Sequence, residues 1–237
     1  MNRFSGEGLS QPVYAPLAFD YDRAGIAREL LALVPLFRPI LISEISTLPE
    51  NRRRWFMVAD DDHHDHVDRH RNGEAVFGRY RSLEGLGLRR GPTGTTMDDS
   101  VTRRKPDDCA GWEWDARYNA PLTRATIERL PFTRLRGVRL LSLPPGGFLP
   151  VHVDAHDDSY WALGHATLSL LVADGGQPMQ MLVEGGIRAV SDPAFLFKDS
   201  VPHGVAPVSG RRLLLRISGA CDPAALAAML RIQAPRS

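Results

Sequence analysis

The chain has 237 residues, 43% of them hydrophobic and 24% charged, which is the composition of an ordinary soluble globular protein. A formal net charge of +1 gives no overall field that would attract nucleic acid or an anionic membrane, so we expect neither as a partner. Two cysteines are too few for a disulfide framework, no apolar run approaches the roughly 20 residues that cross a bilayer, and residues 1–11 are polar, so we expect a cytoplasmic protein.

The first half of the chain predicts helices and long loops. The spacing of apolar residues over 21–35 predicts an amphipathic helix, with Asp22 as a candidate cap. Residues 36–45 predict a strand interrupted by Pro39, and residues 84–108 predict a long loop because they show little periodicity. A second short helix is predicted over residues 120–130.

After Pro131 the sequence predicts short strands separated by turns at intervals of about ten residues. The predicted strands are 138–143, 151–154, 166–173, 178–183, 187–190, 194–197 and 211–218. Residues 222–232 predict a last helix, with Asp222 as its cap and Pro223 in its first turn.

This order of elements favours an antiparallel sandwich or barrel over a parallel sheet. We expect a single domain over residues 1–237, mainly β with flanking helices: a double-stranded β-helix, that is, a cupin-like jelly roll. Residues 1–130 would supply helical support and substrate loops, 131–219 the jelly-roll core, and 220–237 the C-terminal helix.

A metal site is predicted by His152, Asp154 and His203. Side chains two apart on a strand point the same way, so His152 and Asp154 can meet at one point, and a neighbouring strand can add His203. Two histidines and one carboxylate form the facial set that holds non-haem Fe(II). The alternative is that His152 is a hydrogen-bonded core histidine and Asp154 a turn residue.

Residues 211–218 alternate with period two, which predicts a strand with one apolar face and one partly polar face. The two faces are Leu213, Leu215 and Ile217 on one side and Arg212, Leu214, Arg216 and Ser218 on the other. A guanidinium inside a barrel needs a carboxylate, and residues 166–173 contain none, so an acidic ligand is the expected partner. The alternative places Arg212 and Arg216 on an exposed edge.

The polar run at residues 60–71 contains four histidines, two of them at helical i, i+4 spacing. We interpret it as a polar surface or an active-site lid, with adventitious Zn or Ni binding as the alternative. The four are His63, His64, His66 and His70.

Over residues 136–219 the chain resembles the Fe(II)- and 2-oxoglutarate-dependent oxygenase superfamily. Within that range, residues 152–172 are similar to the aspartyl/asparaginyl β-hydroxylase and free-proline cis-hydroxylase group. The resemblance is carried by Leu143-Pro144-Pro145-Gly146-Gly147, His152-Val153-Asp154, Tyr160-Trp161, Pro202-His203-Gly204-Val205-Ala206-Pro207-Val208 and Gly210-Arg211-Arg212.

The resemblance implies Fe(II), 2-oxoglutarate as cosubstrate and O2, with ascorbate in support. It implies that His152, Asp154 and His203 bind the iron and are catalytic, and that Arg212 pairs with the distal carboxylate of 2-oxoglutarate, with Arg216 as the alternative. His165, Thr167 and Ser169 would add contacts to the cosubstrate. Because Asp154 is present, hydroxylation is expected rather than halogenation.

The expected function is therefore hydroxylation of an amino acid, a peptide residue or a related small metabolite. One alternative is a non-catalytic cupin-like module that binds a small molecule, and another is a metal-dependent isomerase or hydrolase. Four arginines before the barrel suggest a substrate with a carboxylate, and a nearby polar aromatic cluster suggests a pocket mouth. These sets are Arg79, Arg81, Arg89 and Arg90, and Trp112, Trp114, Arg117, Tyr118 and Asn119. The sequence specifies neither the substrate nor the oligomeric state.

Overall fold

Two antiparallel β-sheets organise the computed structural model, which describes residues 13–39, 83–91, 111–152, 165–183, 186–197 and 203–230. The helices are α1 (Arg23–Leu31), α2 (Pro121–Glu128) and α3 (Pro223–Met229), with a 3-10 turn at Val34–Leu36. The strands are β1 (Tyr14–Pro16), β2 (Arg38–Pro39), β3 (Glu84–Gly87), β4 (Arg89–Arg90), β5 (Glu113–Trp114), β6 (Phe132–Leu143), β7 (Leu149–His152), β8 (His165–Asp174), β9 (Met179–Val183), β10 (Gly186–Val190), β11 (Ala194–Phe197), β12 (His203–Val205) and β13 (Arg212–Cys221).

The strand order identifies a jelly roll. The large sheet has the order β1-β11-β8-β13-β6-β3-β2, the small sheet has the order β10-β9-β12-β7, and β4 pairs with β5. From β6 to β13 the chain crosses repeatedly between the large and the small sheet, which is the double-sheet arrangement of jelly rolls and cupins. The predicted fold class, mainly β with flanking helices, is confirmed.

The large sheet lies between two apolar layers. On one face Leu215 and Ile217 of β13 belong to a buried cluster with Leu30 of α1. On the other face Leu214 belongs to a second cluster with Met181 of the small sheet. The predicted alternation of β13 is confirmed. The face that carries Arg212 and Leu214 is directed toward the space between the two sheets, which we call the lumen.

The prediction of a loop over residues 84–108 is wrong at its start. Glu84–Gly87 pairs with β6, and Arg89–Arg90 pairs with β5, so tertiary pairing supplies strands where the local sequence shows no alternation. The short strand β1, which pairs with β11, was not predicted. Residues 92–108 lie outside the described part of the chain.

Several strand bounds also differ from the prediction. β6 begins at Phe132, six positions before the predicted Val138, because it pairs with β13 as far as Cys221. Of the predicted strand at 36–45, Arg38–Pro39 pairs with β3, and residues 40–45 lie outside the described residues.

The predicted caps of α1 and α3 are present. The Asp22 carboxylate accepts a hydrogen bond from the Gly25 amide at 2.8 Å, and Asp222 accepts one from the Ala224 amide at 2.8 Å, with Pro223 in the first turn. In the described ranges, no helix is long and apolar enough to cross a membrane.

Candidate metal and cosubstrate site

Two histidine positions lie opposite each other at one end of the small sheet. β7 ends at His152 and β12 begins at His203, and these two residues are Cα partners in the antiparallel pair. Directly opposed positions share one face of a sheet, with Cα atoms about 4.5–5.5 Å apart. The backbone therefore brings together two positions that lie 51 residues apart in the sequence.

His203 is buried and lies beside Phe197, a residue of the lumen cluster. Its side chain is 2% exposed, and its ring meets the Phe197 ring edge-on at a centroid distance of 5.0 Å. Met181, which is fully buried, is the Cα partner of His203 on its other side. The edge-on contact with Phe197 and the burial of His203 shield its ring from solvent.

Asp154 lies outside the described residues, as does the polar run at 60–71. Within the described ranges, no group of three or more His, Cys, Asp or Glu side chains is arranged to hold a metal. The described geometry thus brings two histidine positions together, and the assignment of His152, Asp154 and His203 as metal ligands stays a prediction from the sequence.

Arg212, at the start of β13, is buried at 3% exposure, so the alternative of an exposed edge is wrong for this residue. Its Nη1 donates to the Gln177 carbonyl at 2.7 Å and to the Asp174 carbonyl at 3.1 Å. Its Nη2 is also buried and has no hydrogen-bond acceptor among the residues that the structure describes. Burial lowers the pKa of Arg212 to about 10, against the opposing effect of Asp174, so the side chain remains a cation at neutral pH.

Arg216 and His203 both contact the Phe197 ring. The guanidinium carbon of Arg216 is 4.4 Å from the centroid of the Phe197 ring, and that ring contacts His203. Arg212 instead bonds to the turn between β8 and β9. The two arginines therefore mark two levels of the lumen, with Arg216 at the level of His203.

Sequence reasoning missed Arg139 of β6, which is the Cα partner of Arg216. Val138 and Leu140 belong to the helix-side cluster, and Leu141 packs against the lumen cluster, so alternation places Arg139 on the lumen face. The alternation of residues 138–143 was the signal that could have identified it.

The cosubstrate residues predicted on β8 lie on the strand next to β13. His165 is the first residue of β8 and the Cα partner of Ala220, and Thr167, which is half-buried, is the Cα partner of Ser218. The fully buried Ser169 is the Cα partner of Arg216.

The arginines proposed from the sequence as substrate contacts have structural roles where they are described. Arg89 is 8% exposed and donates to the carbonyls of Leu135 (2.5 Å) and Trp112. Arg90 pairs with Glu113 at 2.7 Å on the surface. Arg79 and Arg81 lie outside the described residues.

Three of the five residues of the predicted aromatic cluster line a pocket, which lies away from the lumen. Trp114, Tyr118 and Asn119 border a cavity of about 250 Å³ together with Arg124 of α2. Trp114 and Tyr118 pack against the helix-side cluster, on the face of the large sheet opposite to His203.

Comparison with known proteins gives likenesses of fold. No protein-family model and no curated protein matches the chain. A prolyl-4-hydroxylase from Pseudomonas putida is 23% identical, with a TM-score of 0.29, over 41% of this chain and 60% of that chain. A prolyl hydroxylase from Trichoplax adhaerens, in complex with a hypoxia inducible factor peptide fragment, is 13% identical, with a TM-score of 0.43, over 91% and 86%. A 2OG-Fe(II) oxygenase family oxidoreductase from Burkholderia pseudomallei is 13% identical, with a TM-score of 0.32, over 88% and 98%.

Proposed function

We propose that the chain is an Fe(II)- and 2-oxoglutarate-dependent dioxygenase that hydroxylates an amino acid, a peptide residue or a related small metabolite. The observation that carries the proposal is the register of β7 and β12, which sets His152 directly opposite His203. The proposal also rests on the sequence His152-Val153-Asp154 and on the buried cation of Arg212.

The donor set suits Fe(II). Histidines at directly opposed positions of adjacent antiparallel strands can reach one metal ion, and Asp154 follows His152 by two residues, so it can supply a carboxylate to the same face. Two histidines and one carboxylate leave coordination positions open for other ligands. His152, Asp154 and His203 would hold the metal.

The interior of the barrel suits 2-oxoglutarate. Arg212 brings a positive charge into the interior, and its buried Nη2 has no acceptor among the described residues, so a carboxylate oxygen would satisfy it. Arg212 would bind the distal carboxylate of 2-oxoglutarate, and His165 and Thr167 of β8 would extend that site.

When bound, the iron and the cosubstrate supply the oxidation: O2, 2-oxoglutarate and a substrate C–H bond yield succinate, carbon dioxide and a C–OH group. The residues of the chain position the reactants and exclude water. Met179, Met181, Phe197 and Val205 form an apolar wall beside His203, which limits solvent access to the reacting groups.

The test measures carbon dioxide released from 2-oxoglutarate labelled at its C1 carboxylate, with Fe(II) and ascorbate present. We expect slow release by the purified protein, and loss of that release together with bound iron in His152→Ala, Asp154→Ala and His203→Ala. The control is Arg134→Gln, an exposed arginine on β6, which should keep both.

A protein that binds iron but releases no labelled carbon dioxide would contradict the oxygenase proposal and favour the non-catalytic binding module. Iron content that is unchanged in His203→Ala would contradict the assignment of the metal ligands.

A further inference from the structure

Arg212, the proposed cosubstrate arginine, is held by the turn that follows β8. Asp174 is the last residue of β8 and the Cα partner of Arg212, and Gly175 and Gly176 form the turn toward β9. The carbonyls of Asp174 and Gln177, one on each side of the two glycines, accept from Arg212 Nη1 at 3.1 and 2.7 Å. A shift of the turn would therefore move both acceptors and, with them, the guanidinium.

Hydrogen bonds fasten this turn to the chain just before β13. The Gly175 carbonyl accepts from the amides of Ser209 at 2.9 Å and Gly210 at 3.0 Å. The Asp174 carboxylate accepts from the Gly176 amide at 3.0 Å, which closes the turn on itself. Since the two acceptors of Arg212 in the turn are uncharged carbonyl oxygens, they orient the guanidinium without neutralising its positive charge.

Gly175 is the position at which the turn tolerates no side chain. It is buried and has a φ of 66°, a conformation that favours glycine. A Cβ atom there would lie 2.8 Å from the Gly210 carbonyl oxygen, 3.0 Å from Arg212 Cβ and 3.1 Å from the Arg212 backbone nitrogen. Two of these three atoms belong to the backbone and cannot rotate away. A side chain at this position must therefore push the turn and the start of β13 apart.

We propose that Gly175 is a positioning residue for the cosubstrate. Its lack of a side chain lets the turn approach Arg212 closely enough to fix Nη1, so that Nη2 is held ready for the distal carboxylate of 2-oxoglutarate. Gly175 acts through Arg212 and not on the cosubstrate itself. This inference rests on the proposed function, since it names the residue that orients the arginine of that site.

The experiment compares two 2-oxo acids of equal chain length: 2-oxoglutarate, and 2-oxopentanoate, which lacks the distal carboxylate. Binding is measured without turnover, from the rise in melting temperature of the Fe(II)-loaded protein under argon at increasing concentrations of each acid. We expect the unaltered protein to prefer 2-oxoglutarate by about a hundredfold, because charge-assisted hydrogen bonds hold the extra carboxylate. Gly175→Ala should reduce this preference about tenfold, through weaker binding of 2-oxoglutarate alone.

Gly146→Ala is the matched control. Gly146 also has a positive φ, of 79°, but a Cβ atom there would meet nothing within 4 Å among the residues that the structure describes. Both alanine substitutions strain left-handed backbone, whereas only the one at Gly175 creates close contacts. Gly146→Ala should therefore lower the melting temperature of the protein without ligand and retain the preference for 2-oxoglutarate.

Gly175→Asn separates the backbone conformation from the close approach. Asparagine adopts a positive φ more readily than alanine does, but it also carries a Cβ atom. We expect Gly175→Asn to lose the preference as Gly175→Ala does. Because it strains the backbone less, it also provides the test if Gly175→Ala does not fold.

The Arg212→Met background tests whether Gly175 acts through the guanidinium. Arg212→Met should itself remove most of the preference for 2-oxoglutarate. Adding Gly175→Ala to it should change the preference no further, because the group that the turn orients is already absent.

Three outcomes would overturn the inference and leave the proposed function standing, provided that the unaltered protein prefers 2-oxoglutarate. Gly175→Ala could weaken the binding of both acids by the same factor, which would make its effect purely structural. Gly175→Asn could retain the preference, which would make the backbone conformation the cause. Gly175→Ala could reduce the preference further in the Arg212→Met background, which would show that it acts independently of Arg212. An unaltered protein that bound both acids alike would instead contradict the proposed function, and this inference with it.

Discussion

Arg212 is a buried cation whose hydrogen bonds are distributed unequally between its two terminal nitrogen atoms. Nη1 makes two bonds to backbone carbonyls, and Nη2 is buried without an acceptor among the described residues. The carbonyl bonds orient the guanidinium, which leaves one N–H edge for a ligand. An ammonium group cannot reproduce this division, because it has a single nitrogen atom.

Arg212→Lys should therefore raise the KM for 2-oxoglutarate by about tenfold to a hundredfold, the effect of losing one charge-assisted hydrogen bond of roughly 1.5–3 kcal/mol. The measurement is labelled carbon dioxide release against 2-oxoglutarate concentration. Arg216→Lys is the comparison, and a larger increase in that variant would show that Arg216 binds the cosubstrate.

Asp115 is a second buried charge, on the helix side of the large sheet. It is 3% exposed and accepts from Arg117 Nε at 2.9 Å and from the Arg117 amide at 3.0 Å. The hydrogen bonds from the Arg117 side chain hold the pKa of Asp115 below its usual value, against the effect of burial. The folded state therefore favours the ionised carboxylate.

Asp115→Asn should lower the free energy of unfolding by about 1–2 kcal/mol at pH 7, because a buried ionised acceptor is lost. A lowered pKa stabilises the folded protein above the unfolded value of about 3.9, and this stabilisation is lost as pH falls further. Urea unfolding at pH 7 and pH 3 checks this. If the difference in the free energy of unfolding between Asp115→Asn and the unaltered protein were as large at pH 3 as at pH 7, the charge of Asp115 would not be its cause.

At the scale of elements, β13 was the most predictable strand. Leu213, Leu215 and Ile217 alternate with residues of the lumen face, and both faces are found as predicted. Its extension to Cys221 was not predictable, because Gly219 and Ala220 show no alternation and are strand residues only by pairing with β6.

The short strands β1 and β3 were not predictable from the sequence, because they too are strands only through pairing with other strands. β3 reads Glu84-Gly85-Leu86-Gly87, which has the composition of a turn, and its pairing with β6 comes from tertiary contact. β1 ends at Pro16, a residue typical of sheet edges, and it lies at the edge of the large sheet. In the candidate site, the sequence predicted the histidine positions, whereas Arg139 required knowledge of the register.

The start of α2 depends on another element. Its N-cap residue, Ala120, makes no side-chain hydrogen bond. The Glu29 carboxylate of α1 accepts instead from the amides of Leu122 at 2.8 Å and Thr123 at 2.7 Å. A carboxylate at this end also complements the helix dipole.

Glu29→Ala should lower the free energy of unfolding by about 1–2 kcal/mol, as the loss of a helix cap does. The matched control is Glu128→Ala, which removes the exposed i, i+4 pair with Arg124 and should cost less than about 0.5 kcal/mol. Urea denaturation measures both. Equal losses would show that Glu29 does not act as the cap of α2.

At the scale of the whole molecule, the candidate site depends on the packing of one sheet against the other. The small sheet carries the proposed metal ligands His152 and His203, and the large sheet carries Arg212, the proposed cosubstrate arginine. The apolar layer between the two sheets sets the distance between the site positions of the small sheet and those of the large sheet. The helix-side layer supports the large sheet but does not face the lumen.

Substitutions at two neighbouring leucines of β13 distinguish the roles of these two layers, because Leu215 belongs to the helix-side layer and Leu214 to the lumen layer. Leu215 is fully buried on the helix side. Leu215→Ala should lower the free energy of unfolding by about 2–5 kcal/mol and leave the affinity of the protein for 2-oxoglutarate unchanged. Leu214→Ala enlarges the lumen two residues from Arg212, so it should weaken cosubstrate binding. Urea unfolding gives the first quantity, and the rise in melting temperature with 2-oxoglutarate gives the second. If both variants weakened binding equally, the lumen face would not be the cosubstrate wall, because the two side chains differ only in the face of the sheet they occupy.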